Sequence, residues 1–237
     1  QGEEVQKLDE YANSLCIQYL AETGHFAALA SEEEEGVVPL NPKAEYVIAF
    51  DPLDGSSNID VAVSIGTIFS IHRVLAKYDP CDEHQFLQTG KTQVLAGYLL
   101  YGSSTVMVFS SGNGVHEFTL DPTLGEYLLT NEHMRIGEKC GIYSVNEGNT
   151  PFMREKDQQF IQRIKERGMQ TRYVGSLVAD AHRNLIKGGV FLYPPVDKKG
   201  SGSYEGKLRL LFEAQPLAFI FEHAGGSATD GSTSILD

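Results

Sequence analysis

The chain has no tryptophan, only three cysteines, and 19 basic residues against 32 acidic ones. Cys16, Cys81 and Cys140 stand far apart with no CxxC pair, which excludes the spacing of a structural zinc site and fits a reducing, cytoplasmic setting. No Asn-x-Ser/Thr sequon is present. No apolar run approaches the ~18 residues of a membrane span, and no signal peptide is recognisable, so no membrane partner is expected. A net charge of −13 speaks against nucleic acid as a partner.

That charge is unevenly spread. Residues 1–135 carry 20 acidic and 6 basic side chains, whereas residues 136–237 carry 12 and 13. If the substrate is a polyanion, the first part must meet it through bound cations and the second through its own Lys and Arg. The expected division is an amino-terminal metal-binding subdomain, 1–135, and a carboxyl-terminal substrate-binding subdomain, 136–237. With 237 residues, 41% apolar, the chain is long enough for one large domain or two small ones.

The most informative stretch is Asp51-Pro52-Leu53-Asp54-Gly55-Ser56-Ser57-Asn58, directly behind the apolar run Tyr46 to Phe50. Five apolar residues bounded by turn formers predict a buried strand, so both aspartates emerge at its carboxyl end, where α/β sheets bind ligands. Pro52 fixes its φ and Gly55 tolerates φ > 0, so the chain must turn sharply while holding two carboxylates three residues apart. Two converging anions require a proton or a cation between them. Gly55, Ser56, Ser57 and Asn58 then offer backbone N–H groups, hydroxyls and an amide to an anion. Carboxylates for a hard cation beside donors for an anion suggest a metal-assisted phosphoryl site. The same letters also compose an ordinary turn. An EF-hand does not fit, because Leu53 and Gly55 occupy positions where that loop needs oxygen ligands.

Before this stretch, Val5, Leu8, Ala12, Leu15, Cys16 and Tyr19 recur at helical spacing, with Asp9 on the same stripe as Val5, Ala12 and Cys16. A carboxylate on a core-facing stripe needs a partner; at a helix edge it pairs with Lys7 or solvent. The run Ala27 to Ala30 opens into Ser31-Glu32-Glu33-Glu34-Glu35. Four glutamates form a solvated face in most chains, but a strand end here would bring Glu32 and Glu33 beside Asp51 and Asp54.

From Thr67 to Thr130 the pattern is β-rich, with a polar loop over Lys77 to Lys91 and a hairpin turn at Asp121 to Gly125. Further on, Ile142 to Val145 predicts a strand and Phe152 to Arg167 an amphipathic helix. A second helix runs from Gly175-Ser176 to Lys187, with Ser176 as N-cap, and Val190 to Tyr193 reads as a strand. The loop Asp197 to Gly206 reads as flexible. In Gly206-Lys207-Leu208-Arg209-Leu210-Leu211-Phe212-Glu213, alternation predicts a strand with Lys207, Arg209 and Leu211 on one face, followed by a helix opened by Pro216. Glu213 at that corner is either a further metal ligand or a complement to the helix dipole.

Together, Asp51 to Asp60, Ser31-Glu32-Glu33, Tyr143 to Gly148, Arg172-Tyr173-Val174-Gly175-Ser176 and Gly206 to Glu213 closely resemble class I fructose-1,6-bisphosphatase, in the same order and from Gly2 to Asp237. The resemblance implies an α/β layered sugar-phosphatase fold of alternating helix and sheet layers with two subdomains. It makes Glu32, Glu33, Asp51, Asp54 and Glu213 metal ligands, assisted by the Leu53 carbonyl, and places Asp9 with Glu33 near the attacking water. Gly55, Ser56 and Ser57, beside Asp54, would hold the 1-phosphate. Asn146, Tyr173, Tyr193 and Lys207 would hold the sugar and its 6-phosphate, with Arg172 reaching across a subunit interface. The implied activity is metal-dependent hydrolysis of fructose 1,6-bisphosphate to fructose 6-phosphate, a gluconeogenic step, with Mg²⁺ or its substitutes Mn²⁺ and Zn²⁺. A sedoheptulose bisphosphatase, an inositol-phosphatase-like enzyme and a non-catalytic phosphosugar-binding module are the alternatives. A homotetramer is also implied. Relative to the family the chain starts late and ends early; the family's amino-terminal helices form an AMP site, and Tyr46 matches a nucleotide-contacting tyrosine. Asn149 stands where many members place a phosphate-binding tyrosine.

Overall fold

The computed structural model describes residues 2–137 and 139–237, with side-chain surroundings from Lys7 onward. The β-rich run of the sequence folds into one eight-stranded sheet: β1 (Phe26–Ser31), β2 (Val37–Pro39), β3 (Tyr46–Asp54), β4 (Ile65–Arg73), β5 (Gln93–Tyr101), β6 (Thr105–Ser110), β7 (His116–Asp121) and β8 (Glu126–Asn131). Its order is β2-β1-β3-β4-β5-β6-β7-β8. Only β1 and β3 are parallel neighbours; every other pairing is antiparallel, as short connections require.

The parallel pair matters most for the site. Ser31 pairs with Phe50, and the Glu32 N–H extends the ladder to the Phe50 carbonyl at 3.1 Å. Glu32 and Asp51 therefore leave adjacent strands at the same level and the same end.

A second sheet, β10-β9-β11, is small and fully parallel: β9 (Ile142–Ser144), β10 (Gln170–Thr171) and β11 (Val190–Phe191). Four α-helices make alternating layers with the sheets. Helix α1 (Gly2–Thr23) covers one face of the large sheet, packing Cys16, Ile17 and Leu20 against Leu29, Ile48 and Phe50. The opposite face carries α3 (Leu177–Lys187) and α4 (Gln215–His223), with Ile68, Ala96, Tyr98 and Val108 meeting Val178, Ala181, Leu217 and Ile220. Helix α3 also packs on the small sheet, and α2 (Glu155–Glu166) seals that sheet's far side through Ile161 and Ile164 against Tyr143 and Val145. The layers run helix, sheet, helix, sheet, helix, the α/β layered phosphatase fold expected. Among the described residues no helix is long and apolar enough to cross a membrane.

Three local expectations need correction. On α1 the packed stripe is Asn13, Cys16, Ile17 and Leu20, whereas Leu8, Leu15 and Tyr19 face outward; Val5 lies outside the described side chains. The stripe is rotated because Asn13 is buried as a polar member of it, accepting a hydrogen bond from Ser31 Oγ at 2.7 Å and donating to Glu34 Oε1. The segment 206–213 forms no strand. Its second half, Leu210–Ala214, is a π-helical turn that leads straight into α4, because the Glu213 and Ala214 N–H groups both return to the Arg209 carbonyl. Finally, Ser176 is the N-cap residue of α3, yet its hydroxyl caps nothing; the Val178 N–H is taken instead by Asp54.

Candidate active site

Asp51 and Asp54 are three residues apart, an odd separation that would point them to opposite faces of a regular strand. The β3–β4 ladder breaks between them: Asp51 faces Ile68 and Asp54 faces Gly66, three steps on one strand against two on the other. This bulge resets the alternation, and both carboxylates line one cavity. The Leu53 N–H donates to Asp51 Oδ1 at 2.9 Å and holds the turn. Gly55 follows at φ 79°, a left-handed conformation that strains any residue with a Cβ.

The acidic cavity, of about 180 Å³, is lined by Glu32, Glu33, Asp51, Leu53, Asp54, Gly55, Ser56, Ser57, Arg209 and Glu213, among others. At its centre, single carboxylate oxygens of Glu32, Asp51 and Glu213 lie within 4.8 Å of one another. Glu213 reaches this point because the π-helical turn swings it inward, where its Oε2 accepts the Arg209 N–H. Asp54 sits beside the trio but outside it, with Oδ2 2.9 Å from the Val178 N–H at the positive end of α3.

The electrostatics of this cluster are unfavourable for free carboxylates. Burial, then the Glu32 and Asp54 charges, push the Asp51 carboxyl far above its usual range. Burial raises Asp54 to about 7 despite the Val178 N–H, and burial also raises Glu213. Glu33, at the exposed rim, is raised by desolvation and by the Asp9 and Glu32 charges. Asp9 lies half-buried on α1 beside Ser56; desolvation raises it and the Ser56 hydrogen bond opposes the rise. Glu32 Oε2 is buried with no hydrogen-bond partner. An all-oxygen set, crowded, desolvated and with an orphaned carboxylate oxygen, fits a hard divalent cation.

A second cavity of about 400 Å³ lies against the first. Tyr193 and Lys207 line both. Its wall includes Asn146 and Tyr173, as the resemblance implies, Asn149 at the position where many members carry tyrosine, and also Lys198 and Lys199, which the reading of that loop as flexible passed over. Asp197 organises the loop by accepting the N–H groups of Lys199, Ser201 and Gly202. The signal was legible: an aspartate followed by a Lys-Lys pair and Gly-Ser-Gly, in the charge-balanced part of the chain. Asn146 Oδ1 accepts the Gly148 N–H and caps its own turn. Arg172 lines neither cavity; its guanidinium donates to the Thr171 carbonyl and to Gln170 Oε1.

A carboxylate cluster suited to a cation, beside a turn rich in hydrogen-bond donors and at the strand ends of a layered α/β fold, defines the chain as a phosphatase of the metal-assisted kind. Family models described as fructose-1-6-bisphosphatase match it along its length, the N-terminal domain over residues 1–132 and the C-terminal domain over 136–237. It is 56% identical to a class 1 fructose-1,6-bisphosphatase from Sulfurihydrogenibium sp. over all of the chain and 72% of that protein. It is 54% identical to one from Persephonella marina, with the same coverage. The crystal structure of Leishmania major fructose-1,6-bisphosphatase in apo form superposes with a TM-score of 0.91 at 41% identity, covering 98% of this chain and 76% of that one. The chain belongs to the class 1 fructose-1,6-bisphosphatase family.

Proposed function

We propose that the chain hydrolyses fructose 1,6-bisphosphate at its 1-phosphate, releasing fructose 6-phosphate and phosphate as a gluconeogenic step, with Mg²⁺ at Glu32, Glu33, Asp51, Leu53, Asp54 and Glu213. The carrying observation is the meeting of Glu32, Asp51 and Glu213 oxygens within 4.8 Å, beside the Gly55–Ser57 turn and joined through Tyr193 and Lys207 to the larger cavity. A bound divalent cation, with Mn²⁺ or Zn²⁺ as substitutes, would offset the phosphate's charge and lower the pKa of the attacking water. The Gly55–Ser57 donors orient the 1-phosphate. Glu33 and Asp9, both raised chiefly by desolvation, take the proton released by water as its oxygen bonds to phosphorus; the P–O bond to the sugar breaks, and the departing sugar oxygen takes up a proton from solvent. Lys207, Tyr173, Tyr193 and Asn146 hold the sugar and its 6-phosphate.

The exposed Arg172, outside both cavities of its own chain, supports a homotetramer in which it faces a neighbouring subunit's site. A cytoplasmic setting completes this reading, and an AMP site belongs to it only in the full-length protein. The test is phosphate release with Mg²⁺ from fructose 1,6-bisphosphate, sedoheptulose 1,7-bisphosphate and inositol 1-phosphate. Preference for the first, abolished in folded Asp51→Ala and Glu33→Gln, supports the reading; equal rates on the monophosphate remove the role given to Lys207.

A further inference from the structure

The loop Arg172 to Gly175 touches both halves of the site and belongs to no strand or helix: Tyr173 lines the larger cavity and Gly175 the acidic one. The Gly175 carbonyl also accepts Asn58 Nδ2 at 3.2 Å, tying the loop to the anion-binding turn. Gly175 has φ +92°, and a Cβ there would lie 3.7 Å from the Tyr173 ring, so the ring sits directly against this stretch of backbone. What fixes this backbone lies behind it, on α3.

Asp180 is 0% exposed. Its carboxylate accepts the Val174 N–H at 3.0 Å and the Gly175 N–H at 2.9 Å. Arg183, one turn later, donates from a single nitrogen, Nη2, to three acceptors: Asp180 Oδ1, Ser144 Oγ at 2.7 Å and the Arg172 carbonyl at 2.6 Å. The loop is thus gripped on both sides of Tyr173, its carbonyl end by the cation and its amide end by the anion. A buried carboxylate persists only when its lone pairs are used, and these are spent on a loop rather than on a ligand.

The geometry points to Asp180 and Arg183 as a positioning pair that sets sugar-phosphate affinity through Tyr173 without touching the substrate. The inference rests on the bisphosphatase reading for the identity of the ligand. Displacement of a binding group by ~1 Å is enough to cost about one to two orders of magnitude. The metal centre, built by β1, β3 and the π-helical turn, does not use this grip.

Asp180→Asn keeps the side-chain size but turns an N–H₂ group toward two N–H donors. We expect fructose 6-phosphate affinity, measured by calorimetry without turnover, to fall about tenfold or more, with KM for the bisphosphate rising in step. The Mg²⁺-induced rise in Tm should stay as in the wild type. Arg183→Lys, with three donors on one nitrogen, should retain much of the affinity that Arg183→Met loses. A merely structural pair would instead lower Tm and the active fraction together, leaving KM and product affinity alone. Unchanged product affinity in folded Asp180→Asn or Arg183→Met overturns the inference. Wild-type phosphate release is read separately: if it fails while product binding is present and falls in the variants, the pair stands and the bisphosphatase reading does not. A wild type that binds no sugar phosphate sinks both.

Discussion

The Arg209 guanidinium lies 2.6 Å from a Glu32 carboxylate oxygen and 3.7 Å from Glu213 Oε1, at the edge of the carboxylate trio. With Lys207, which lines the same cavity, it supplies positive charge that the chain itself offers to this centre. Removing that charge as Arg209→Met should lower the Tm of metal-free protein and enlarge the rise in Tm produced by Mg²⁺, since a larger unmet demand is then satisfied. Scanning calorimetry with chelator and with Mg²⁺ reads both quantities; a wild-type-sized Mg²⁺ response would contradict the compensating role.

Proton release should accompany cation binding. Without a cation, burial holds Asp54 up to about 7, so its contribution to stability is complete below the unfolded value of 3.8 and is lost as pH rises through about 7. Asp51, raised in the same direction, adds to this loss. A cation reverses the balance by displacing the protons, so Mg²⁺ affinity should increase from pH 6 to pH 8 by about tenfold for each proton released per unit of pH. Calorimetry in buffers of different ionisation enthalpy measures the release. Affinity flat across that range would exclude buried protonated carboxylates at the centre.

A second pH effect has the opposite sign. His72 is 1% exposed, and burial lowers its pKa from 6.5 to about 4. Its neutral form stabilises the fold fully above pH 6.5, and that stability is lost as pH falls toward 4. The expected loss is about 3 kcal/mol, visible as a falling urea midpoint on acidification and flattened in His72→Gln. An equally steep fall in the variant would place the acid sensitivity elsewhere.

Gly66 pairs with Asp54 across the bulge, and a Cβ there would overlap the Leu99 carbonyl oxygen and press on the Val178 side chain. Backbone on a central strand cannot move aside. Gly66→Ala should therefore destabilise the protein by about 2–3 kcal/mol and weaken Mg²⁺ binding as well, because Val178 carries the N–H that anchors Asp54. Loss of Tm with unchanged Mg²⁺ affinity would separate the two effects and refute the link.

Much of this was legible in the chain. Apolar runs ending in acid marked Glu32 and Asp51, and the turn formers after Asp54 marked the anion side. What alternation could not show was the bulge that brings Asp54 round to the face of Asp51, since it depends on the β4 partner. The segment 206–213 misled because Lys-Leu-Arg-Leu reads as period two, whereas the chain resolves it by a π-helical turn whose bonds leave no periodic trace in the sequence. Asn13 was invisible for a related reason: its partners, Ser31 and Glu34, lie 18 and 21 residues away, and only contact reveals a polar residue as part of a core. The grip of Asp180 on Val174 and Gly175 looks, in sequence, like one more acid in the first turn of a helix.

The shared wall of Tyr193 and Lys207 gives the two cavities a fixed spacing. On the proposed function, a molecule bearing an anionic group at each end would be measured against that interval as by a caliper, and one with a single charged end would fill either jaw but never both. Selectivity for length would then follow from the partition itself, before any atom of the sugar is read.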